Sequence, residues 1–345
     1  MSIDDFYMNR CLQLANNGIG ITRPNPSVGA VIVYKDKIIG EGFTSKAGDN
    51  HAEVNAINSV KDKKLLRKST IYVTLEPCSH FGKTPPCADL IVSCKFKRVV
   101  IGCLDSNPKV AGRGVKRLLS ANIQVKVGVL EQMCREQHKR FFTNQEQKRP
   151  YIILKWAETK DGFLAPSTKD IKKPFWISNT YSQQLVHKLR AKENAILVGK
   201  NTVLEDNPTL NVRSWFGENP VRVVIDNTLE LSDKLNVFNN EAKTIIFTGE
   251  KKLSENNLIY EQIDFNKPIA KQICSALLKH QIQSLIIEGG AKTLQTFINE
   301  NLWDEAKVFV GDVTLKKGLK APKLKVKETI KTNIFNDFLK TFHND

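Results

Sequence analysis

Three residues of types that bind metal ions lie in two short runs of the N-terminal half. His51 belongs to the run HAE at 51–53, and Cys78 and Cys87 belong to the run EPCSHFGKTPPC at 76–87. One imidazole and two thiolates occupy three positions of a tetrahedral zinc ion and leave the fourth to water, which is the composition of a catalytic zinc site. Glu53 is well placed to face that fourth position and to carry protons of a water that zinc has acidified. These residues predict a catalytic zinc site with Glu53 as general acid and base.

The order of these residues matches the signature of the zinc deaminases, His-x-Glu followed by Pro-Cys-x-x-Cys. The match has one departure, because the spacer between Cys78 and Cys87 is much longer than in that signature. Two other interpretations stay open. The histidine and the cysteines could be core residues, since free cysteine is among the most buried residue types. Alternatively, His80 could complete a closed structural zinc site, which would leave Glu53 without a role.

The length and composition bound the class of protein. A chain of 345 residues is long enough for two domains with separate cores. No apolar run reaches the roughly 18–20 residues of a membrane span. Asp4 and Asp5 stand where a signal peptide would carry basic residues, and seven cysteines, an odd number, disfavour a disulfide framework. We therefore expect a cytoplasmic protein without a membrane partner.

The net charge of +16 is unevenly distributed, with +11 in residues 1–150 and +5 in the remainder. Such an excess is compatible with an RNA substrate or with a small anionic substrate. A lysine-rich solvated surface is the commoner cause of this balance, and we expect no nucleic-acid partner.

The first half alternates predicted strands with predicted helices, which favours a three-layer α/β domain. His51 opens one of these helices, and the strand at 69–75 ends just before Cys78, so that the thiolate lies near a helix start. The predicted helices cover 5–17, a segment from 51 and a segment through 118–119; the predicted strands cover 28–34, 38–42, 69–75, 98–102 and 123–129.

The polar stretch 141–150 predicts a boundary between domains at 1–145 and 150–345. The second half also reads as α/β, with its own core, and the tail beyond Leu315 carries no clear pattern. The run IIEGGAKTL at 286–294 is a strand that enters two glycines and then a helix, a geometry that suits a phosphate. Predicted strands cover 151–156, 195–198, 221–225, 244–247, 284–287 and 307–310; predicted helices cover 182–192 and 271–281.

Several motifs of the first half are similar to those of the deaminase half of the bifunctional riboflavin-biosynthesis deaminase/reductases. They are PNPSVG at 24–29, HAEV at 51–54, TLEPCSH at 74–80 with GKTPPC at 82–87, and DSNP at 105–108 with GRG at 112–114. The long spacer between the cysteines is typical of this family. The resemblance implies a cytidine-deaminase-like domain in which His51, Cys78 and Cys87 bind Zn²⁺ and Glu53 shuttles the proton. It places Asn25, His80, Lys83, Asp105 and Asn107 at the substrate.

The second half resembles the reductase half of the same family, which has a dihydrofolate-reductase-like fold and uses NADPH. The matching stretches include KWA at 155–157, TVLEDNPTL at 202–210 and EGG at 288–290. The sequence departs from the family at two places. Pro174 stands where the family usually has serine, and TKDG at 159–162, with Lys160, stands where the family usually has SLDG. The resemblance implies substrate contacts from Lys155, Leu210, Arg213 and Glu288, and NADPH contacts from Ala157, Trp176, Thr202, Asp206, Asn227, Gly290, Ala291, Lys292, Thr293, Leu294, Gln295 and Thr296.

The implied activity has two steps on a small phosphorylated pyrimidine. Zinc-dependent hydrolytic deamination of 2,5-diamino-6-ribosylamino-4(3H)-pyrimidinone 5′-phosphate is followed by NADPH reduction of the ribosyl group to a ribityl chain. The resemblance also implies a homo-oligomer that forms through the reductase domain. Two alternatives stay open: a tRNA or nucleotide deaminase with an appended α/β domain of other function, and a zinc-stabilised RNA-binding or regulatory protein whose deaminase site has decayed.

Overall fold

The computed structural model describes residues 2–81, 85–107, 110–167 and 175–344. The chain divides into two compact units, Met1–Lys148 and Arg149–Asp345. Predictions that concern Lys83, Pro108 and Pro174 fall outside the described residues. Among the described helices, none has both the length and the apolar character needed to cross a membrane.

The first unit contains a five-stranded sheet with helices packed against it. Its first helix begins with a capping box, in which the Ser2 hydroxyl accepts the N–H of Asp5 and the Asp5 carboxylate accepts the N–H of Ser2. The elements are α1 (Ile3–Gly18), β1 (Gly29–Tyr34), β2 (Lys37–Phe43), α2 (Ala52–Ser59), a 3₁₀ helix (Lys63–Lys68), β3 (Thr70–Leu75), α3 (Cys87–Ser93), β4 (Arg98–Cys103), α4 (Arg113–Ser120), β5 (Gln124–Val127), α5 (Glu131–Gln137) and α6 (Lys139–Gln147).

The order of strands in this sheet brings the metal-binding motif close to the loop after β4. The order is β2-β1-β3-β4-β5, and β3 runs parallel to β4 with Leu75 opposite Cys103. Parallel strands end at the same edge of a sheet, so the segment that follows Leu75 and the segment that follows Cys103 start side by side. The backbone N–H of Glu76 donates to the carbonyl oxygen of Cys103 at 3.0 Å, which keeps the two segments together.

A buried ion cluster and a close backbone contact hold α1 on this sheet. Asp4 accepts hydrogen bonds from Arg98 and Lys126 at 2.8 Å and from the Tyr72 hydroxyl at 3.0 Å. The Arg98 guanidinium holds the pKa of Asp4 well below its usual range. Gly29 is required where the helix crosses β1, because a Cβ there would lie 1.9 Å from the carbonyl oxygen of Cys11.

The second unit is built on a nine-stranded sheet with a buried apolar cluster on each face. The strand order is β11-β10-β9-β8-β12-β6-β13-β16-β15, and the neighbours from β11 through β13 are parallel. The elements are β6 (Tyr151–Thr159), β7 (Phe163–Pro166), α7 (Thr180–Lys192), β8 (Ala195–Gly199), α8 (Lys200–Asp206), β9 (Val221–Ile225), a 3₁₀ turn (Asn236–Phe238), β10 (Thr244–Thr248), β11 (Leu258–Gln262), α9 (Ile269–Lys279), β12 (Ser284–Gly289), α10 (Ala291–Asn299), β13 (Glu305–Gly311), β14 (Gly318–Lys320), β15 (Ile330–Ile334) and β16 (Asp337–His343).

The parallel strands place the predicted cofactor residues at one edge. The strands β9, β8, β12 and β6 are consecutive in the sheet and all end at that edge. Ligands of open α/β sheets bind outside the carboxyl ends of the strands. The structure therefore brings the ends of four strands, distant in sequence, to one place where a ligand would bind.

The tail beyond Leu315 is more ordered than its sequence indicates. It contains β14, β15 and β16, and β16 pairs antiparallel with β13, with Leu339 opposite Phe309. The strands β7 and β11 and the helix α8 are likewise absent from the sequence prediction.

Candidate active sites

Three different elements supply the predicted zinc ligands. His51 is the N-cap residue of α2, Cys87 is the first residue of α3, and Cys78 follows the end of β3. His51 Nδ1 lies 3.5 Å from Cys78 Sγ and 3.3 Å from Cys87 Sγ, and all three atoms lie within 4.8 Å of one another. The two runs identified in the sequence therefore form one cluster.

The spacing of these atoms fits a tetrahedral zinc ion. Zinc–sulfur bonds of about 2.3 Å and zinc–nitrogen bonds of about 2.0–2.1 Å place neighbouring ligand atoms roughly 3.5–3.8 Å apart. In the part of the chain that the structure describes, no fourth histidine, cysteine or carboxylate joins the cluster. His80 is exposed and outside it, so the closed structural site with His80 as fourth ligand is not formed.

One of the two thiols, Cys78, has contacts that favour its thiolate form. Cys78 Sγ accepts the backbone N–H of Cys87 at 3.3 Å, at the start of α3, as the sequence predicted for a thiolate near a helix start. A hydrogen bond from the Cys87 thiol outweighs the effect of burial and, with a further bond from His51, lowers the pKa of Cys78, while the same bond and burial raise the pKa of Cys87. The thiolate is the form that binds metal ions.

Glu53 lies beside the ligands in the first turn of α2 and is 4% exposed. Burial, and then the negative charge of Cys78, raise the pKa of its carboxyl to about 7, and a side-chain hydrogen bond joins it to Cys87. A carboxyl whose pKa lies near neutrality can both accept and return a proton. The structure therefore brings the buried carboxyl of Glu53 next to the three predicted ligands.

Two further predicted residues lie on the loop after β4. Asp105 is buried, and its Oδ1 accepts the N–H of Asn107 at 2.6 Å. Burial raises the pKa of Asp105 to about 6, and the charges of His80 and Cys78 also act on it. Asp105, Asn107 and His80 thus belong to the region of the cluster. Asn25 lies in the turn before β1, where its N–H donates to the carbonyl oxygen of Thr22 at 2.9 Å.

The second unit contains a cavity of about 190 Å³ lined by predicted residues and by several that the sequence reasoning missed. The predicted residues in its wall are Lys155, Ala157, Trp176, Asp206, Arg213 and Glu288. Leu210 is absent from that wall, since its side chain is 3% exposed and belongs to the core.

Glu288 holds two cations in the cavity wall. Its carboxylate forms a bidentate pair with Arg190, at 2.7 and 3.1 Å, and accepts a hydrogen bond from Lys155 at 3.0 Å. Burial alone would raise the pKa of Glu288, but the charges of Arg190 and Lys155 prevail and lower it to about 2. Glu288 is therefore ionised at neutral pH and fixes both cations in place.

Arg190 and His187 on α7 are the residues that sequence reasoning missed. Arg190 also donates to the carbonyl oxygen of Asn211 at 3.1 Å, and His187 Nδ1 accepts the N–H of Arg213 at 3.4 Å. Burial, and then the charges of Arg190 and Arg213, lower the pKa of His187 to about 4, so it is neutral and can accept that bond. One feature of the sequence could have indicated them. His187 and Arg190 are polar residues one turn apart on the helix face that also carries the buried residues Val186 and Leu189.

The predicted NADPH residues gather at the carboxyl edge of the sheet. Thr202 packs against Gly289 and Gly290, since its hydroxyl lies 3.3 Å from the position of a Cβ added at either glycine. Thr293 packs against Gly199 in the same way, at 2.7 Å from such a Cβ. Asn227 follows β9 at the same edge, and its carbonyl oxygen accepts the N–H of Gly249 at 2.9 Å.

The start of α10 fits the phosphates of a dinucleotide. Gly290 is its N-cap residue, and no side chain caps the first amides of the helix, so these donors suit an anion. Ala291 and Lys292 belong to the first turn. Further along, Leu294 is buried in the core, Gln295 accepts the N–H of Lys323 at 3.0 Å, and Thr296 donates to the carbonyl oxygen of Lys292 at 2.9 Å. Leu294 is therefore not accessible to a ligand.

Together, the folds and the sites define a protein with a zinc-deaminase unit followed by a reductase unit. Residues 1–103 match the cytidine and deoxycytidylate deaminase zinc-binding region, and residues 150–329 match the RibD C-terminal domain. The chain is 43% identical to the riboflavin biosynthesis protein RibD of Aquifex aeolicus over 325 residues, which cover 92% of this chain and 89% of that protein. It is 34% identical to RibD of Escherichia coli K12, with 89% and 87% covered.

Solved structures give the same result. A diaminohydroxyphosphoribosylaminopyrimidine deaminase/5-amino-6-(5-phosphoribosylamino)uracil reductase from Thermotoga maritima superposes with a TM-score of 0.91 at 36% identity, over 99% of both chains. RibD of Acinetobacter baumannii superposes with a TM-score of 0.90 at 31% identity, again over 99% of both chains. The chain belongs to the RibD family.

Family membership confirms the predicted fold class. The first half is a cytidine-deaminase-like domain, and the second half has the dihydrofolate-reductase-like fold of the RibD C-terminal domain. Zinc and NADPH, which the resemblance implied, are the cofactors of these two domains. Because the matches extend through both halves, the alternative of a tRNA or nucleotide deaminase with an unrelated second domain is excluded.

Proposed function

We propose that the first half deaminates 2,5-diamino-6-ribosylamino-4(3H)-pyrimidinone 5′-phosphate by hydrolysis and that the second half reduces the ribosyl group of the product with NADPH. The observation that carries the proposal is the cluster of His51, Cys78 and Cys87 within 4.8 Å, with buried Glu53 beside it. The substrate is inferred from the Thermotoga maritima relative, whose name describes a deaminase and a reductase acting on phosphoribosylaminopyrimidines.

In the deamination, His51, Cys78 and Cys87 would hold the zinc ion. When bound, zinc acidifies a water for attack on the amino-bearing ring carbon. Glu53, which is buried beside the ligands, would take up a proton at its carboxylate and return it to the departing ammonia.

Residues of the neighbouring loops would bind the pyrimidine. Asp105 presents a buried carboxyl whose Oδ1 accepts the backbone N–H of Asn107, so the Asp105 side chain and the Asn107 backbone have defined positions before substrate arrives. His80 is exposed and acts electrostatically on Asp105. We place these three residues, with Asn25 and Lys83, around the ring and the ribosyl phosphate.

In the reduction, the cavity of the second unit would bind the ribosyl phosphate of the deaminated product. Lys155, Arg190 and Arg213 line it together with Glu288 and Asp206, so cations outnumber carboxylates in the wall, which suits a phosphate. The guanidinium fork of Arg213 suits bidentate contact with phosphate oxygens. Arg190, held by Glu288, would add positive charge beside it, and Lys155 would contact the ribose. When bound, NADPH supplies the hydride; the amides at the start of α10 hold its diphosphate, and Trp176 and Ala157 lie in the cavity wall.

One experiment tests both halves together. The protein is incubated with the diaminopyrimidine ribosyl phosphate, with and without NADPH, and ammonia and nicotinamide absorbance are followed. Ammonia release without NADPH, and NADPH consumption only after deamination, are the expected results. Consumption of NADPH before any ammonia appears would contradict the proposed order, and absence of ammonia would contradict the deaminase.

We further propose that residues 1–145 and 150–345 fold as separate domains and that the chain pairs with a second copy through the reductase half. The division of the chain into two compact units supports the first of these proposals. Sedimentation of the whole chain and of a chain truncated after residue 145 tests both. The cytoplasmic location stays a prediction of the sequence.

A further inference from the structure

One buried carboxylate connects the segment that carries the metal ligand Cys78 with the loop after β4, which carries Asp105 and Asn107 and is called the substrate loop below. Glu76 is the first residue after β3, stands two residues before Cys78 and is 3% exposed. Its Oε2 accepts the backbone N–H of Asp105 at 3.3 Å and that of Gly112 at 3.0 Å, and its Oε1 accepts the N–H of Val115 at 3.1 Å. Both oxygens are thus occupied by backbone amides.

These amides belong to two parts of the segment that follows β4. Asp105 is near the start of the loop, while Gly112 and Val115 are the N-cap residue and third residue of α4. The first amides of a helix lack partners within the helix. Glu76 supplies such partners from a different strand, so it fixes both ends of the 105–112 loop.

The close approach of α4 to this carboxylate depends on a glycine. A Cβ at Gly114 would lie 2.2 Å from the carbonyl oxygen of Pro77 and 3.1 Å from Glu76 Oε1. The helix start is therefore pressed against the segment that leads from β3 to the metal ligand Cys78. This packing leaves the carboxylate little freedom to find other partners.

A continuous set of hydrogen bonds follows from this arrangement. Glu76 fixes the backbone of Asp105, and Asp105 Oδ1 in turn accepts the N–H of Asn107 at 2.6 Å. We infer that Glu76 is a positioning residue of the deaminase, which sets the substrate loop carrying Asp105 and Asn107 relative to the strand that carries Cys78. The inference rests on the proposed deaminase function.

The variants Glu76→Ala and Glu76→Gln test this role. Glutamine keeps one acceptor oxygen, so it retains part of the bonding, whereas alanine removes all of it. We expect KM for the pyrimidine substrate to rise in the order wild type, Glu76→Gln, Glu76→Ala, with a loss in kcat/KM on the order of 10- to 100-fold for alanine, because small misplacements of binding groups cost this much. Zinc content stays at the wild-type level, and NADPH-dependent reduction of deaminated substrate by the same chain is unchanged.

A matched control separates positioning from general stability. The Asp62 carboxylate caps the 3₁₀ helix of the same domain by accepting the N–H of Lys64 at 3.0 Å. Asp62→Ala therefore removes a carboxylate–amide bond away from the substrate loop. It should lower the thermal midpoint while leaving KM unchanged.

Amide hydrogen exchange gives a readout that needs no activity. In Glu76→Gln, the amides of Asp105, Gly112 and Val115 should exchange faster than in wild type, while those of β4 keep their protection. Unchanged exchange at these three amides, an unchanged KM, or loss of zinc from either variant would overturn the positioning role. Absence of ammonia release by the wild-type protein is a separate result, which contradicts the proposed function itself.

Discussion

Arg190 and Glu288, which are 98 residues apart in the sequence, form a buried bidentate ion pair with contacts of 2.7 and 3.1 Å. Lys155 shares the same carboxylate at 3.0 Å. Removal of one partner from a buried pair leaves the other charge without compensation, which is costlier than loss of an exposed pair. The reductase cavity therefore depends on Glu288 for the geometry of two cations.

Glu288→Gln should reduce both reductase activity and the stability of the second unit. At pH 7 we expect the free energy of unfolding to fall by roughly 3 kcal/mol, since glutamine keeps the shape but not the charge. Because folding lowers the pKa of Glu288 from 4.5 to about 2, its contribution is present above pH 4.5 and is lost as the pH falls towards 2.

Urea unfolding at pH 7 and pH 3, followed by tryptophan fluorescence, measures this difference. All four tryptophans lie beyond residue 149, so the signal reports the second unit. The gap between wild type and variant should be smaller at pH 3, and an equal gap at both values would contradict the assignment. The control is Glu230→Gln, which changes an exposed carboxylate of the same unit that pairs with Lys200. This variant should have little effect on the free energy of unfolding.

Glu53→Gln should abolish most deaminase activity without loss of zinc. The amide cannot take up a proton, and loss of a general acid and base commonly costs 10²- to 10⁴-fold in rate, roughly. Ammonia release and zinc content are measured on the same preparation, and reduction of deaminated substrate is the internal control. Full ammonia release by this variant would refute the role of Glu53.

Arg213→Ala should weaken binding of the phosphorylated substrate to the reductase far more than binding of a dephosphorylated analogue. The guanidinium faces the cavity with Arg190, and a phosphate is the group of the substrate that matches both. We expect KM for the phosphorylated substrate to rise at least tenfold, which corresponds to about 1.4 kcal/mol. An equal rise for both compounds would show that Arg213 does not bind phosphate.

His138 should make the first unit sensitive to mild acid. Burial lowers its pKa from 6.5 to about 3, so between these values the unfolded chain binds a proton that the folded chain excludes. Stability is therefore lost as the pH falls, by about 2 kcal/mol between pH 6.5 and pH 5.

Amide hydrogen exchange of β3, measured at pH 6.5 and at pH 5, reports this loss of stability in the first unit. The Thr74 hydroxyl accepts the N–H of Gly29 at 3.2 Å and shares a hydrogen bond with His138 Nε2 at 3.0 Å. In the His138→Gln variant the side-chain amide can donate or accept in that bond but does not titrate, so the stability of this variant should fall less steeply with pH. The same slope in both proteins would show that another group is responsible.

The sequence was sufficient for the metal cluster because chemistry restricts its ligands to few residue types. His51, Cys78 and Cys87 are also held by local structure, namely a helix N-cap, a strand end and a helix start. The strands that cross the centre of each sheet were predictable for a similar reason, since their apolar runs have no alternative to burial. Val221–Ile225 coincides with its predicted bounds.

The remainder depends on contacts between distant segments. Arg190 looks like an ordinary basic residue in the last turn of a helix, and its role follows only from the sheet order that brings Glu288 to it. Glu76 looks like part of the metal motif, but its partners lie 29 to 39 residues further on. The β16 strand was missed because its alternation is weak and the lysines of the tail suggest a solvated segment, whereas pairing with β13 makes it a strand.

X-ray absorption at the zinc edge of the purified protein tests the central claim most directly. We predict one zinc per chain with two sulfur ligands, one imidazole nitrogen and one light-atom ligand from solvent, the last of which is displaced when a substrate analogue binds. A third sulfur, a second imidazole, or a chain that takes up no zinc would contradict a catalytic metal at His51, Cys78 and Cys87.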